Sequence, residues 1–184
     1  MMHISYDLKI PKERIAVLIG SKGAVKTELE DLTSSSIHVD SSEGDVHIEG
    51  KDSVSLFSLR EVIKAIGRGF NPDIAILLLR QDYVLDLINL PDYAPTRSHM
   101  DRLKGRVIGR KGKSRDTIEK MSETFISVYG KTIGIVGSTD RIGISKQAIE
   151  SLLSGAPHSN VFKFLERSKS LIKKENMLNW YEKR

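Results

Sequence analysis

The segment Ile-Gly-x-Lys-Gly occurs twice, at Ile19–Gly23 and at Ile108–Gly112, 89 residues apart. A match this short can arise by chance, so the flanking register decides. At the same offset Leu29 meets Ile118, Glu30 meets Glu119, Leu32 meets Met121, Ile37 meets Ile126 and Val39 meets Val128. With one loop shortened by two residues, Val46, Ile48 and Gly50 meet Ile133, Ile135 and Gly137. The 184-residue chain is therefore one small domain duplicated, not a solenoid, whose units are shorter and more numerous.

Each half reads alike. An extended apolar segment comes first (Ile4–Ile10; Tyr83–Leu90), then a short helix (Arg14–Ile19; Arg102–Ile108) that ends in Gly-x-x-Gly. A second helix follows, marked by Val25, Leu29 and Leu32 and by Ile118 and Met121 at helical spacing. Two short strands come next (Ile37–Asp40 and Asp45–Glu49; Phe125–Tyr129 and Thr132–Val136). A third helix closes each half. Val54, Phe57, Val62, Ile63 and Ile66 mark the first, and Ile142, Ile149, Leu152 and Leu153 the second. The expected order is β-α-α-β-β-α, twice: an α+β chain with a three-stranded antiparallel sheet packed on three helices in each domain. Boundaries are expected at 1–74 and 75–157, the division falling near Asn71-Pro72-Asp73, with a Pro-rich loop insertion at Pro91–Ser98 inside the second half. Residues 158–184 form one more amphipathic helix. Phe162, Leu165, Ile172, Leu178 and Trp180 supply its apolar face for docking on the second domain, and Lys163, Arg167, Lys169, Lys173 and Lys174 its basic face.

Charge separates the halves. The whole chain carries +5, but residues 1–80 hold 10 basic and 12 acidic residues, whereas 81–184 hold 19 and 12. Between Arg97 and Arg115 eight cations stand with one acid, Asp101. The absence of cysteine removes disulfides, thiol chemistry and Cys-ligated zinc. The five histidines show no ligand spacing; His38 and His47 can face each other across adjacent strands but lack a third ligand. No metal or cofactor is expected. No apolar run is long enough to span a bilayer and the N-terminus has no apolar signal region, so a cytoplasmic protein with no membrane partner is expected.

The paired glycines point to phosphate. Gly allows unusual φ and close approach of another backbone. The helix that follows aims unpaired N–H groups and its positive dipole end at the loop. The spacing excludes a nucleotide cradle: Gly112-Lys113-Ser114 resembles the end of a P-loop, but Val107 stands where the first Gly is required. In Gly67-x-Gly69, Pro72 takes the third glycine position of a dinucleotide fingerprint. In the second half Gly109, Arg110, Lys111 and Gly112 are expected to hold a nucleic-acid backbone. Lys104, Arg106, Lys113 and Arg115 extend the positive track, or serve only as solvated surface. Ile108 and Ile126 line a base groove, or belong to the core. In the first half Gly20, Ser21, Lys22, Gly23 and Lys26 form a weaker version, opposed by Glu28, Glu30 and Asp31. Aromatics at 6% disfavour base-stacking platforms.

Val-x-Ile-Gly-Ser-Lys-Gly and Val-Ile-Gly-Arg-Lys-Gly, each in this frame, resemble type I KH domains. Arg102–Ser114, Thr117-Ile118-Glu119 and Gly130–Gly137 resemble the partner-of-Nob-one family, double-KH ribosome assembly factors related to the Dim and Krr-type proteins. That resemblance implies a non-enzymatic protein that binds single-stranded RNA near the 3′ end of small-subunit rRNA during pre-rRNA processing, beside an endonuclease or another assembly or translation factor. Eukaryotic members tend to lose the first Gly-x-x-Gly and carry a long N-terminal extension. The intact Gly20–Gly23 loop and the short start suggest an archaeal member. The alternative is a protein-interaction scaffold in which RNA binding is secondary.

Overall fold

The computed structural model describes residues 4–182, with side chains described as far as Lys174. Leu178 and Trp180 lie outside those described side chains. The chain divides into two compact units between Leu85 and Asp86.

The first unit runs β1 (Ile4–Lys9), α1 (Lys12–Ile19), α2 (Ala24–Thr33), β2 (Ser35–Asp40), β3 (Asp45–Gly50) and α3 (Ser53–Gly67). Its antiparallel sheet has the order β1-β3-β2. The hairpin partner β3 is thus central, and β1 closes the far edge. The register pairs Ile37 with Ile48 and Val39 with Val46. Asp52 caps α3 by accepting a hydrogen bond from the Ser55 N–H at 2.8 Å. Leu18, Leu29, Ile37, Ile48, Leu59 and Ile63 are fully buried and tie α1, α2 and α3 to one face of the sheet.

The second unit repeats the plan with β4 (Tyr83–Asn89), whose first three residues precede the division, then α5 (Arg97–Ile108), α6 (Lys113–Ser122), β5 (Phe125–Tyr129), β6 (Thr132–Ser138) and α7 (Thr139–Leu153). Its sheet order is β4-β6-β5. Ile126 pairs with Ile135 and Val128 with Ile133. These are the positions that the repeat aligns with the β2–β3 pairs. A last helix, α8 (His158–Glu182), packs on α6 and α7 and gives Val161 and Leu165 to the core.

Four expectations change. The division does not fall at Asn71–Asp73, because α4 (Pro72–Ala75) and the turn Ile76–Leu79 fold back onto α3. Helix α5 starts at Arg97 rather than Arg102, capped by Thr96, whose Oγ1 accepts from the His99 N–H at 3.3 Å. Val54 and Phe57 are exposed, on the flank of α3 away from Leu56, Leu59, Ile63 and Ile66. Leu32 is exposed too, whereas its counterpart Met121 packs against a core to which α8 contributes. The extra helix thus covers a flank of the second domain.

Candidate nucleic-acid interface

Both Gly-x-x-Gly loops have the same backbone. Gly20 (φ 73°, ψ 178°) and Gly109 (φ 73°, ψ 174°) end their helices in a region open only to glycine. A Cβ on Gly20 would stand 2.5 Å from Val25 Cγ2 and 2.8 Å from the Val25 nitrogen. One on Gly109 would stand 2.6 Å from Ser114 Cβ and 2.8 Å from the Ser114 nitrogen. The first glycine therefore lets the following helix start in contact with the loop. Lys22 (φ 52°) and Lys111 (φ 53°) are held left-handed, at a cost of about 1–2 kcal/mol each. The last glycines differ from the first: nothing lies within 4 Å of a Cβ built on Gly23 (φ 82°) or Gly112 (φ 76°). That uncovered stretch of backbone is where another polymer's backbone can lie. Helices α2 and α6 begin there without side-chain caps, so their first N–H groups remain for an anion.

A second shared device fixes the α2–β2 and α6–β5 corners. Glu30 Oε1 accepts the Ile37 N–H at 2.7 Å, and Glu119 Oε1 accepts the Ile126 N–H at 2.7 Å. Lys26 approaches Glu30 at 3.8 Å and Arg115 approaches Glu119 at 3.6 Å. Burial raises the Glu119 carboxyl above its ordinary value, opposed by the Ile126 N–H and by Arg115.

The structure sorts the expected site residues. Arg110, Lys111 and Lys113 are exposed at the second loop, and none has an ion-pair partner among the described residues. Ile108 is half-buried beside Gly109. Lys104 is drawn aside by Asp101 at 3.1 Å, and Arg115 by Glu119. Two assignments are corrected. Arg106 does not extend a phosphate track: its guanidinium donates to Leu152 O at 3.1 Å and Ala156 O at 2.7 Å, closing the C-terminal end of α7. Ile126 does not line a base groove; it is 5% exposed and sits in the core. In the first domain Ser21 and Lys22 are exposed, and Lys26 is spent on Glu30.

Sequence reasoning missed that each domain ties its first helix to its third with arginine. In the first domain Arg14 donates to Ile66 O at 2.7 Å and Phe70 O at 2.6 Å. Arg14 and Arg106 do not align at the repeat offset, so the repeat gave no signal for this pairing. His38 and His47 do pair across β2 and β3, with ring centroids 6.4 Å apart. Their carboxylate neighbours are Glu49, at 3.7 Å from His38, and Asp7, at 2.7 Å from His47. Among the described residues no group of three or more His, Cys, Asp or Glu side chains is placed to hold a metal. No described helix is long and apolar enough to cross a membrane.

Residues 84–170 match a family model described as a eukaryotic type KH-domain (KH-domain type I), and residues 5–67 match the KH domain model. The chain is 45% identical over 180 residues to a KH domain-containing protein of Methanocaldococcus jannaschii, covering 96% of this chain and 79% of that one. It is 34% identical over 113 residues to the pre-rRNA-processing protein PNO1 of Coccidioides immitis, covering 60% of this chain. The match spans only 44% of that longer protein. Among solved structures it resembles the Dim2p chain of an a/eIF2α–aDim2p–rRNA complex from Pyrococcus horikoshii. The TM-score is 0.86 and the identity 44%, over 91% of this chain and 95% of that one.

Proposed function

The chain belongs to the PNO1/Dim2 family of double-KH proteins, as an archaeal member, and on that premise we propose that it binds single-stranded RNA of the small ribosomal subunit during pre-rRNA processing, holding a segment near the rRNA 3′ end. KH domains bind RNA and are not enzymes; they clamp about four unpaired nucleotides between the Gly-x-x-Gly loop and an adjacent groove. The observation that carries the reading is the second loop. Its left-handed Lys111 and open Gly112 leave backbone N–H groups and two unpaired cations, Arg110 and Lys111, on one surface. A phosphate seated there gains backbone hydrogen bonds and charge together. With about three phosphates neutralised, the log–log salt slope of affinity is roughly −2. Held in this way, the strand is kept from mispairing, and access by a processing nuclease is governed.

Crosslinking the protein to RNA in cells and sequencing the bound fragments tests this. Enrichment at the 3′ end of small-subunit rRNA is expected; fragments spread evenly over cellular RNA overturn it.

A second role rests on the first domain, whose Val54 and Phe57 are 64% and 48% exposed. The two stand one helical turn apart on α3, with the Arg60 guanidinium 4.6 Å from the Phe57 ring centroid, and together they offer an apolar and cationic spot to a partner. A translation factor of the a/eIF2α kind, present in the relative's rRNA complex, is the proposed occupant.

A further inference from the structure

A groove of about 610 Å³ lies in the second domain between α5, α6 and the start of α8. It flanks the Gly109–Gly112 loop and is distinct from the α6–β5 corner, where Glu119 meets Ile126. Arg102, Arg110 and Lys113 rim it, while Thr117, His158 and Phe162 line it. No acidic residue lines the groove, and none of the three cations has an ion-pair partner among the described residues. The aromatic wall is prebuilt. His158 Nε2 lies 2.8 Å from Arg106 O, and its ring meets Phe162 edge-on at 5.9 Å. Ser114, also in the lining, is 4% exposed, and its hydroxyl has no hydrogen-bond partner among the described residues.

The duplication supplies a control within the same chain. At the repeat offset Arg102, Arg110, Lys113 and Thr117 correspond to Glu13, Ser21, Ala24 and Glu28. Ser114 corresponds to Val25, an apolar residue. The first domain therefore has two acids and no cation at these four positions, and among the described residues only the four-residue α4 follows α3 where the long α8 follows α7. The fold alone does not demand a basic groove here, since the same fold is built nearby with the opposite charge. α8 contributes to the core through Val161 and Leu165, yet it presents His158 and Phe162 to the groove.

We propose that this groove is a second RNA subsite. It takes one nucleotide of the strand next to the segment clamped at Gly109–Gly112, with phosphate on Arg102 and Lys113 and the base against Phe162 and His158. The groove and the loop share Gly109 and Arg110, so one continuous strand passes from one to the other. A base on an aromatic side chain gains stacking energy whatever its sequence, and the rim cations supply the phosphate contact. The occupant is RNA rather than an acidic protein segment because the groove pairs aromatic walls with cations and continues the loop. This inference rests on the RNA-binding reading above.

The test uses the full chain and a short single-stranded RNA with the 3′-terminal sequence of small-subunit rRNA, carrying 4-thiouridine at successive positions. Irradiation is expected to give a crosslink at Phe162 or His158 from a position adjacent to the one that crosslinks to the loop. Phe162→Leu is expected to weaken binding about fivefold without changing the salt slope. Arg102→Ala is expected to weaken it and make the slope shallower by about 0.7. Crosslinks confined to α5, α6 and β5, with both variants binding as the unaltered protein, overturn the subsite. If Arg110→Asp with Lys111→Asp abolishes binding in that case, the loop reading stands and only the groove fails. If that double variant also binds normally, the RNA reading beneath the proposal has failed. Should Phe162→Leu lose its circular dichroism spectrum, the crosslink in the unaltered protein decides.

Discussion

The Gly20–Gly23 and Gly109–Gly112 loops share a backbone and differ in what surrounds it. Their φ values agree within a few degrees at Gly20 and Gly109, at Lys22 and Lys111, and at Gly23 and Gly112. Their charges do not agree: Arg110, Lys111 and Lys113 stand where the first domain has Ser21, Lys22 and Ala24. The backbone of a Gly-x-x-Gly turn decides where a phosphate can lie, and the side chains around it decide how strongly one is held. A duplicated domain can therefore keep its architecture while one copy carries most of the RNA affinity.

The largest expected effects test the shared backbone. Gly20→Ala and Gly109→Ala each force a Cβ onto the next helix's backbone nitrogen, in a glycine-only conformation. Each is expected to cost roughly 3 kcal/mol in urea unfolding. Gly23→Ala and Gly112→Ala meet open space and carry only the left-handed penalty, about 1 kcal/mol. A first-glycine variant as stable as a last-glycine variant would break the claim that close packing sets the loop.

Next in size is the arginine tie. Arg106→Ala removes two charge-assisted hydrogen bonds to Leu152 O and Ala156 O and is expected to cost about 2 kcal/mol by thermal denaturation. Arg106 also lines the groove between α5, α6 and α8, so a modest loss of RNA affinity in the folded variant is expected only together with the loss of stability. Unchanged stability with weakened RNA binding would return Arg106 to the phosphate track.

The smallest effect concerns Glu119. Its carboxyl is raised by burial, so the folded state holds the proton more tightly than the unfolded chain. That contribution to stability is fully present below the ordinary glutamate value, 4.5, and is lost as pH rises through the raised one. Glu119→Gln keeps an oxygen for the Ile126 N–H without the charge. It should flatten the gain in stability on acidifying from neutral pH and leave the fold slightly more stable at pH 7. An unaltered pH profile would mean that the carboxyl is not penalised by its burial.

The architecture was legible because the repeat supplied an alignment within one chain. The alignment of Ile37 with Ile126 and of Val46 with Ile133 marks strands that no single-copy pattern would have matched. The site was legible where chemistry is local in sequence, as at Gly109–Gly112. It was not legible where a side chain's partner is remote. Arg106 looks like part of a basic run, and only the fold brings Leu152 and Ala156 to it, some 50 residues away. Ile126 sits in an apolar strand whose two faces the sequence cannot tell apart. Arg102, His158 and Phe162 come together only because α8 turns back across α6 and α7.

The central claim is that one loop of two equal backbones dominates RNA affinity through its cations. It is tested most directly by titrating one fluorescent single-stranded rRNA 3′-end oligonucleotide into two charge-reversed full-length proteins, each with native circular dichroism. Arg110→Asp with Lys111→Asp should lower affinity on the order of a hundredfold, whereas Ser21→Asp with Lys22→Asp should cost less than about fivefold. Equal losses, or a larger loss from the first loop, would contradict the account.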